Sequence, residues 1–312
     1  MLNYTLLLHG LQSTGEGLPG ALLRDLLDAV DRGAKGAVRL RLEGRSSAKG
    51  GFPPAWVNEA AAFRMAGFHR GTPGVELRVP TLLEALPQRF AQEDLFPHVD
   101  PGDSALTLMG RSLGEAISGN AESDAYDAPL LRSFEEFKEV FRHGVSALEI
   151  RNGRSDRPSL MVTPEGMKVV HQLHRQTPRS QRVRIAGKVD AIRHSDRAFT
   201  LVLESGEQIR GVLAEGEPEV LAPFFGRVAV VTGTAQFRPS GSLLRVDADL
   251  LQPGGDEDLS MWSETPRPLF GVTDVPELRR LQGPRTGINA IIGAWPGDET
   301  DDEVFAMLEE MS

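Results

Sequence analysis

The chain has 312 residues, 40% hydrophobic and 25% charged, the balance of a folded protein rather than a disordered one. It contains no cysteine, which excludes disulfides and thiolate metal sites and fits a reducing compartment. The formal charge of −10 opposes non-specific attraction to phosphate backbones, and the N-terminal apolar run ends at Leu8, too soon for a signal peptide or a membrane span. The expectation is a cytoplasmic protein of two or three domains with no membrane segment.

In chain order, residues 3–9 read as a strand, and Leu18, Leu22, Leu26, Leu23, Leu27 and Val30 mark an amphipathic helix that Gly33 ends. Val38, Leu40 and Leu42 alternate with Arg39, Arg41 and Glu43, the pattern of a half-buried strand. The glycines of GRSSAKGGFPP make a loop, residues 54–66 a helix with Pro54 near its first turn, and Val75, Leu77 and Val79 a further strand. Residues 1–98 thus read as an α+β domain. Residues 99–178 read as a helical segment, in which SALTLMGRSLGEAISG and PLLRSFEEFKEVFRHG are separated by a polar loop, NAESDAYDA.

Residues 179–252 carry the clearest fold signal. Val183, Ile185 and Val189 open a strand, Phe199, Leu201 and Leu203 alternate in a second, and Ile209 with Val212 begin a third. A helical interval over 217–225 precedes strands at 227–237 and 243–251. Three strands, a short helix and two strands suit a small closed barrel of the OB type, and an SH3-like barrel is the alternative that periodicity leaves open. Residues 253–287, rich in Pro, Gly and acid with Trp262 and Phe270 isolated among them, read as a linker, and 288–312 as a tail. The fold class is α+β and multi-domain.

Barrels of the OB type often bind oligonucleotides, which makes Arg184, Lys188, Arg193, Arg210, Arg238 and Arg245, with Arg182, candidate nucleic-acid contacts. Bases are held by exposed aromatics among cations, and Phe199, Phe224, Phe225 and Phe237 fall mostly at positions with a buried pattern, so a solvated face is the favoured reading of these cations. Arg39, Arg41, Arg45 and Lys49 beside Gly50 and Gly51 suggest a phosphate cradle but match neither the P-loop nor the dinucleotide-binding glycine pattern. His171 and His174 stand three apart with no third ligand at metal spacing. No nucleophile-elbow, zinc-protease or paired-carboxylate pattern appears, so the expectation is a non-enzyme with no catalytic residue, metal or cofactor.

The tail is the most specified short segment. From Pro296 onward it holds Asp298, Glu299, Asp301, Asp302, Glu303, Glu309 and Glu310 without a Lys or Arg, which is most of the formal charge of −10. Thr300 and Glu303 form a capping box, Asp301 and Asp302 place negative charge at the positive end of a helix, and Val304, Met307, Leu308 and Met311 line one stripe with Phe305 beside it. A helix of this length is unstable alone in water and must dock, either on the body of its own chain as a structural C-terminal helix of a scaffold protein or in a groove of a partner. Trp295 and Pro296 ahead of the cap supply a rigid aromatic anchor, and the stripe has the layout of helix-in-groove recognition.

The segment GAWPGDETDDEVFAMLEEMS resembles the C-terminal ending of bacterial antitoxin-type proteins encoded beside PIN-domain ribonuclease toxins, in the order Trp, Pro, Gly, Asp, Glu, Thr and the short helix after it. The barrel with TGTAQFRPSGSLLRVDA also resembles a domain of larger proteins ending this way. The resemblance implies a partner, a small ribonuclease with carboxylates around Mg²⁺ or Mn²⁺, held inactive by the tail. It implies roles too: Trp295, Pro296, Val304, Phe305, Met307, Leu308 and Met311 in contact, and Asp298, Glu299, Asp301 and Asp302 steering toward the basic groove that receives RNA. The chain departs from short antitoxins in its size and in having no recognisable helix-turn-helix.

Overall fold

Strand β1 (Leu2–His9) turns Tyr4, Leu6 and Leu8 to one side, where all three are buried. It lies at the centre of an antiparallel sheet, between β3 (Gly74–Val79) and β4 (Ala147–Asn152), with β2 (Arg64–Phe68) and β5 (Leu160–Val162) at the edges. The structure is a computed structural model that describes residues 1–11, 17–47, 54–69, 71–90, 99–153, 159–193, 197–214, 216 and 218–269. Residues Met1–Leu269 form one compact unit. The expected tail helix therefore lies outside the described residues.

Helices cover the apolar face of this sheet. They are α1 (Gly20–Glu43), α2 (Ala55–Ala61), α3 (Leu82–Ala85), α4 (Ala105–Ile117), α5 (Ala128–Phe134), α6 (Lys138–Phe141) and α7 (Pro164–Gln176). Leu22, Leu26, Leu108, Leu113, Leu131 and Phe134 from the helices share one core with the sheet residues. Side-chain caps fix four helix starts: Thr81 accepts from Glu84 N–H at 3.2 Å, Ser104 from Thr107 N–H at 3.2 Å, Asp127 from Leu130 N–H at 3.2 Å and Thr163 from Gly166 N–H at 3.1 Å.

Three sequence expectations in this region are overturned. The strand expected at Val38–Leu42 is the C-terminal half of α1, which runs through Gly33 and Gly36 because Met109 and Leu130 approach those positions closely. Val38 and Leu40 are both buried, and Arg39 Nε donates to Glu43 Oε2 at 2.8 Å across one helical turn, a pairing that a strand cannot make. The helix ends instead at Gly44, whose φ of 72° is the left-handed C-cap that glycine favours. The helix expected over 54–66 stops at Ala61 and gives way to β2. The segment expected to be helical over 99–178 contains β4 and β5, so the sheet draws on residues far apart in the chain.

The second sheet is a closed barrel of β6 (Gln181–Arg193), β7 (Ala198–Val202), β8 (Gln208–Leu213), β9 (Val228–Phe237) and β10 (Leu243–Pro253), in the order β10-β8-β7-β6-β9. The pairing of β9 with β10 closes it, β8 and β10 run parallel, and a 3-10 turn, Pro218–Phe224, stands between β8 and β9. Bulges in β6 and β10 provide the curvature that closure needs. Ile185, Val189, Phe199, Leu201, Ile209, Val231 and Val246 fill the interior. Gly211 permits it: a Cβ there would stand 2.2 Å from the Phe199 ring, which crosses the barrel opposite it in register.

The linker expected from 253 is a strap on the barrel as far as Leu269. Helix α8 (Asp256–Trp262) packs on β6, started by Asp258, which accepts from Gly255 N–H at 3.0 Å, with Asp256 and Glu257 beside it in the first turn. Ser263 Oγ then accepts from Glu204 N–H at 2.7 Å, and the Gln181 amide donates to the Arg267 carbonyl at 2.6 Å and accepts from Leu269 N–H at 3.0 Å. No residue of α8 is buried, which is why its composition reads as a linker.

Candidate functional site

The barrel cations divide sharply. Arg245 is 4% exposed, and its Nη2 donates to Asp127 Oδ2 at 2.9 Å and its Nε to Asp247 Oδ1 at 2.8 Å. Burial opposes its charge, but Asp127 and Asp247 outweigh burial and hold its pKa above the ordinary value. Arg238 donates from Nε to Asp124 Oδ1 at 3.0 Å and also bonds the Leu243 carbonyl. Arg245 and Arg238, both read as candidate nucleic-acid contacts, are engaged within the chain and join the barrel to the α4–α5 loop. Arg182 pairs with Asp249, and Arg184 stands 3.9 Å from Asp258 with its guanidinium 5.4 Å over the Trp262 ring. Lys188, Arg193 and Arg210 are exposed on β6 and β8. Of the four phenylalanines, Phe199 and Phe237 are buried and Phe225 is 61% exposed.

The junction between barrel and helical layer converges on Asp127. Besides Arg245 and its cap bond, it accepts from Ser46 N–H at 3.1 Å and from the Ser46 hydroxyl, just beyond the end of α1. Gly44 sits against the barrel as well, where a Cβ would meet Val212 Cγ2 at 2.8 Å.

The basic cluster read in α1 does not form one cradle. Positions two apart lie on one side of a strand but about 200° apart around a helix. Arg39 is buried against Glu43 and lines a cavity of about 440 Å³, while Arg41 faces a different and larger cleft. Burial first, and Arg39 second, lowers the pKa of Arg45. Lys49, Gly50 and Gly51 lie outside the described residues. His171 and His174 both donate from Nδ1 to Glu135 Oε1, at 3.0 and 2.8 Å, a carboxylate partner that local spacing did not reveal. Among the described residues no group of three His, Cys, Asp or Glu side chains is arranged to hold a metal ion.

The larger cleft, about 940 Å³, opens between α4 and the β1-β4-β5 side of the sheet, under the end of α1. Its floor is polar and ordered: the Tyr4 hydroxyl bonds Ser104 Oγ at 2.7 Å and Thr107 Oγ1 at 2.6 Å, both on the α4 start. Gly110 and Gly114 expose bare backbone one turn apart on α4. Among the described residues four charged side chains line it. Arg111 donates to the buried Asp103 at 2.6 Å, Glu115 accepts from Asn120 Nδ2 at 2.8 Å, and Asp124 is held by Arg238. Arg41 makes neither a hydrogen bond nor an ion pair among the described residues, and burial, reinforced by Arg111 and opposed by Asp124 and Glu115, lowers its pKa. Arg41 thus shares its cleft with Arg111, Gly110 and Gly114, residues that no sequence motif groups with it. The signal available was a pair of glycines four apart inside an otherwise well-patterned helix.

Comparison with protein-family models, with curated proteins and with solved structures found no match for this chain. No helix among the described residues is long and apolar enough to cross a membrane. The contact residues expected in the tail, Trp295, Pro296, Val304, Phe305, Met307, Leu308 and Met311, and the steering acids Asp298, Glu299, Asp301 and Asp302, lie outside the described residues.

Proposed function

We propose that this chain acts by holding another protein through residues 288–312, and that the partner is a PIN-type ribonuclease kept inactive by that contact. The observation that carries the proposal is the order Trp295-Pro296-Gly297-Asp298-Glu299-Thr300 ahead of an acidic, amphipathic, well-capped segment. The engagement of Arg245, Arg238 and Arg182 by carboxylates of this same chain supports it by lowering the weight of a nucleic-acid role for the barrel. In this reading the barrel is of the OB type, on its strand order and its parallel β8–β10 pair, and it serves as part of a rigid body that presents the tail. Trp295 and the stripe from Val304 to Met311 give buried area and register, while the acids enter the groove that otherwise receives RNA.

The test is titration calorimetry of the full chain against a co-expressed PIN-type ribonuclease. Trp295→Ala and Leu308→Ala should each weaken binding by roughly 2 to 4 kcal/mol, as truncation of a buried anchor does. Neutralising Asp298, Glu299, Asp301 and Asp302 together should slow association and flatten its salt dependence, with a smaller effect on dissociation. Binding that survives deletion of 288–312 unchanged would overturn the proposal.

A second reading, single-stranded nucleic acid on the barrel, has one observation in its favour, the Arg184–Trp262 stack with Lys188 on the same strand. The acidic first turn of α8, Asp256, Glu257 and Asp258, lies beside that stack and opposes a phosphate backbone. A gel shift with single-stranded RNA that weakens with salt and is lost in Trp262→Ala would favour this reading over the first.

A further inference from the structure

We propose that the cleft between α4 and the sheet is a binding site for a small organic oxyanion, with its phosphate or carboxylate group held by Arg41 and Arg111. The inference is independent of the tail.

The first argument is charge. Of the four charged side chains that line the cleft among the described residues, Asp124 is engaged by Arg238, Glu115 accepts from Asn120, and Arg111 spends Nη1 on Asp103. Arg41 has no such partner among the described residues, although it is partly buried and stands near a second guanidinium. A cation in that position costs the fold desolvation and repulsion, which Asp124 and Glu115 across the cleft offset only in part, and among the described residues it receives no hydrogen bond in return. An oxyanion between Arg41 and Arg111 offsets their repulsion and gives Arg41 a bonding partner, and guanidinium groups present forked donors that match phosphate and carboxylate oxygens.

The second argument is space. Gly110 lies within α4, where glycine is unfavourable, yet a Cβ built there meets nothing within 4 Å. Close packing therefore does not explain this glycine, which leaves bare backbone beside the open volume. At Gly114 a Cβ would meet only Leu160 Cδ1, at 3.6 Å. A cleft of about 940 Å³ lies at the upper end of the range, roughly 300 to 1,000 Å³, that small-molecule sites occupy. It far exceeds an inorganic ion, so the anionic group belongs to a larger polar molecule whose remainder lies along the bare α4 backbone, near Asn152 and Ser159.

The experiment uses the full chain and three probes, adenosine 5′-monophosphate, citrate and inorganic phosphate. Binding is read by saturation-transfer NMR and by the ligand-dependent shift in Tm. Adenosine monophosphate or citrate should bind at least about tenfold more tightly than inorganic phosphate, because only they use the volume as well as the charge. The preferred arm assigns the oxyanion as phosphate or carboxylate. Arg41→Met should weaken that binding by about tenfold or more while leaving the ligand-free Tm equal or higher. Gly110→Leu should keep the fold and abolish binding by filling the floor, and Arg41→Lys should restore part of the affinity. Three results would overturn the proposal: no probe binding up to about 10 mM, a range that reaches weak millimolar complexes; equal binding by wild type and Arg41→Met; or a ligand-free Arg41→Met that unfolds, which would make Arg41 a structural residue.

Discussion

Removing the Arg245 charge tests whether the barrel and the helical layer fold as one. The guanidinium is 5% exposed, Asp127 opposite it 1% and Asp247 13%, so the pair is desolvated on both sides. Breaking a buried pair by removing one partner generally costs about 3 to 5 kcal/mol, because the other charge is left uncompensated. In Arg245→Met, Asp127 keeps three donors, the Ser46 N–H and hydroxyl and the Leu130 N–H, and Asp247 keeps Gln236 Nε2 at 2.9 Å. That places the expected loss at the lower end, about 3 kcal/mol. Asp127→Ala should cost more, about 4 kcal/mol, since the N-cap of α5 is lost along with the ion pair, and a cap contributes about 1 kcal/mol. The double variant should be less destabilised than the sum by about 2 kcal/mol, the signature of a direct interaction. Urea unfolding in a Trp295→Phe background leaves Trp56 to report on the helical layer and Trp262 on the barrel strap. The two signals should coincide in the wild type and separate in Arg245→Met, with the barrel unfolding first. Strict additivity of the two substitutions, or coincident transitions and unchanged stability in Arg245→Met, would refute the reasoning.

Gly211→Ala should destabilise the barrel by about 3 kcal/mol, the upper range for overpacking, since the new methyl would stand 2.2 Å from the buried Phe199 ring; a denaturant midpoint equal to the wild type would contradict the close approach. Glu149 accepts from Arg151 at 2.7 and 3.0 Å and from His9 at 3.1 Å, and the Arg151 bonds chiefly, against the opposing effect of burial, hold its pKa down at about 2. A depressed carboxylate pKa means stability that is present above the unfolded value of 4.5 and is lost as the pH falls toward 2. Glu149→Gln should therefore lower Tm at pH 7 and converge with the wild type near pH 2; parallel Tm curves across that window would show that the ion pair contributes nothing.

Where local pattern and burial agreed, the fold was legible. Phe199, Leu201 and Leu203 alternate because one face of β7 fills the barrel, and the three-strand, short-helix, two-strand order was enough to expect a closed small barrel. Val38 to Leu42 misled because the C-terminal half of α1 is covered on more than one side: it packs on α4 and α5 and ends against β8. A helix buried on several sides loses its 3.6-residue stripe, and Val38-Arg39-Leu40-Arg41-Leu42 then imitates the period of a strand. Leu244, Arg245 and Val246 mislead in the opposite direction. All three are buried in succession, since the barrel interior takes one face of β10 and the junction at Asp127 takes the other, and no local rule foretells a partner 118 residues away.

The cleft follows the same logic at finer scale. Its charged residues come from α1, α4 and the loop after α4, so they become neighbours only once the helices have packed on the sheet. What the sequence did hold was a cost. Gly110 and Gly114 each weaken α4 by about 1 kcal/mol relative to alanine. The cap at Ser104 and a buried face of Leu106, Met109 and Leu113 offset that cost. A pair of glycines one turn apart, in a helix that its cap and its stripe both specify strongly, has either a close neighbour or an open space to account for it. At Gly110 the structure gives open space with Arg41 and Arg111 on its walls, and local sequence conflict of this kind is characteristic of residues held for a ligand rather than for the fold.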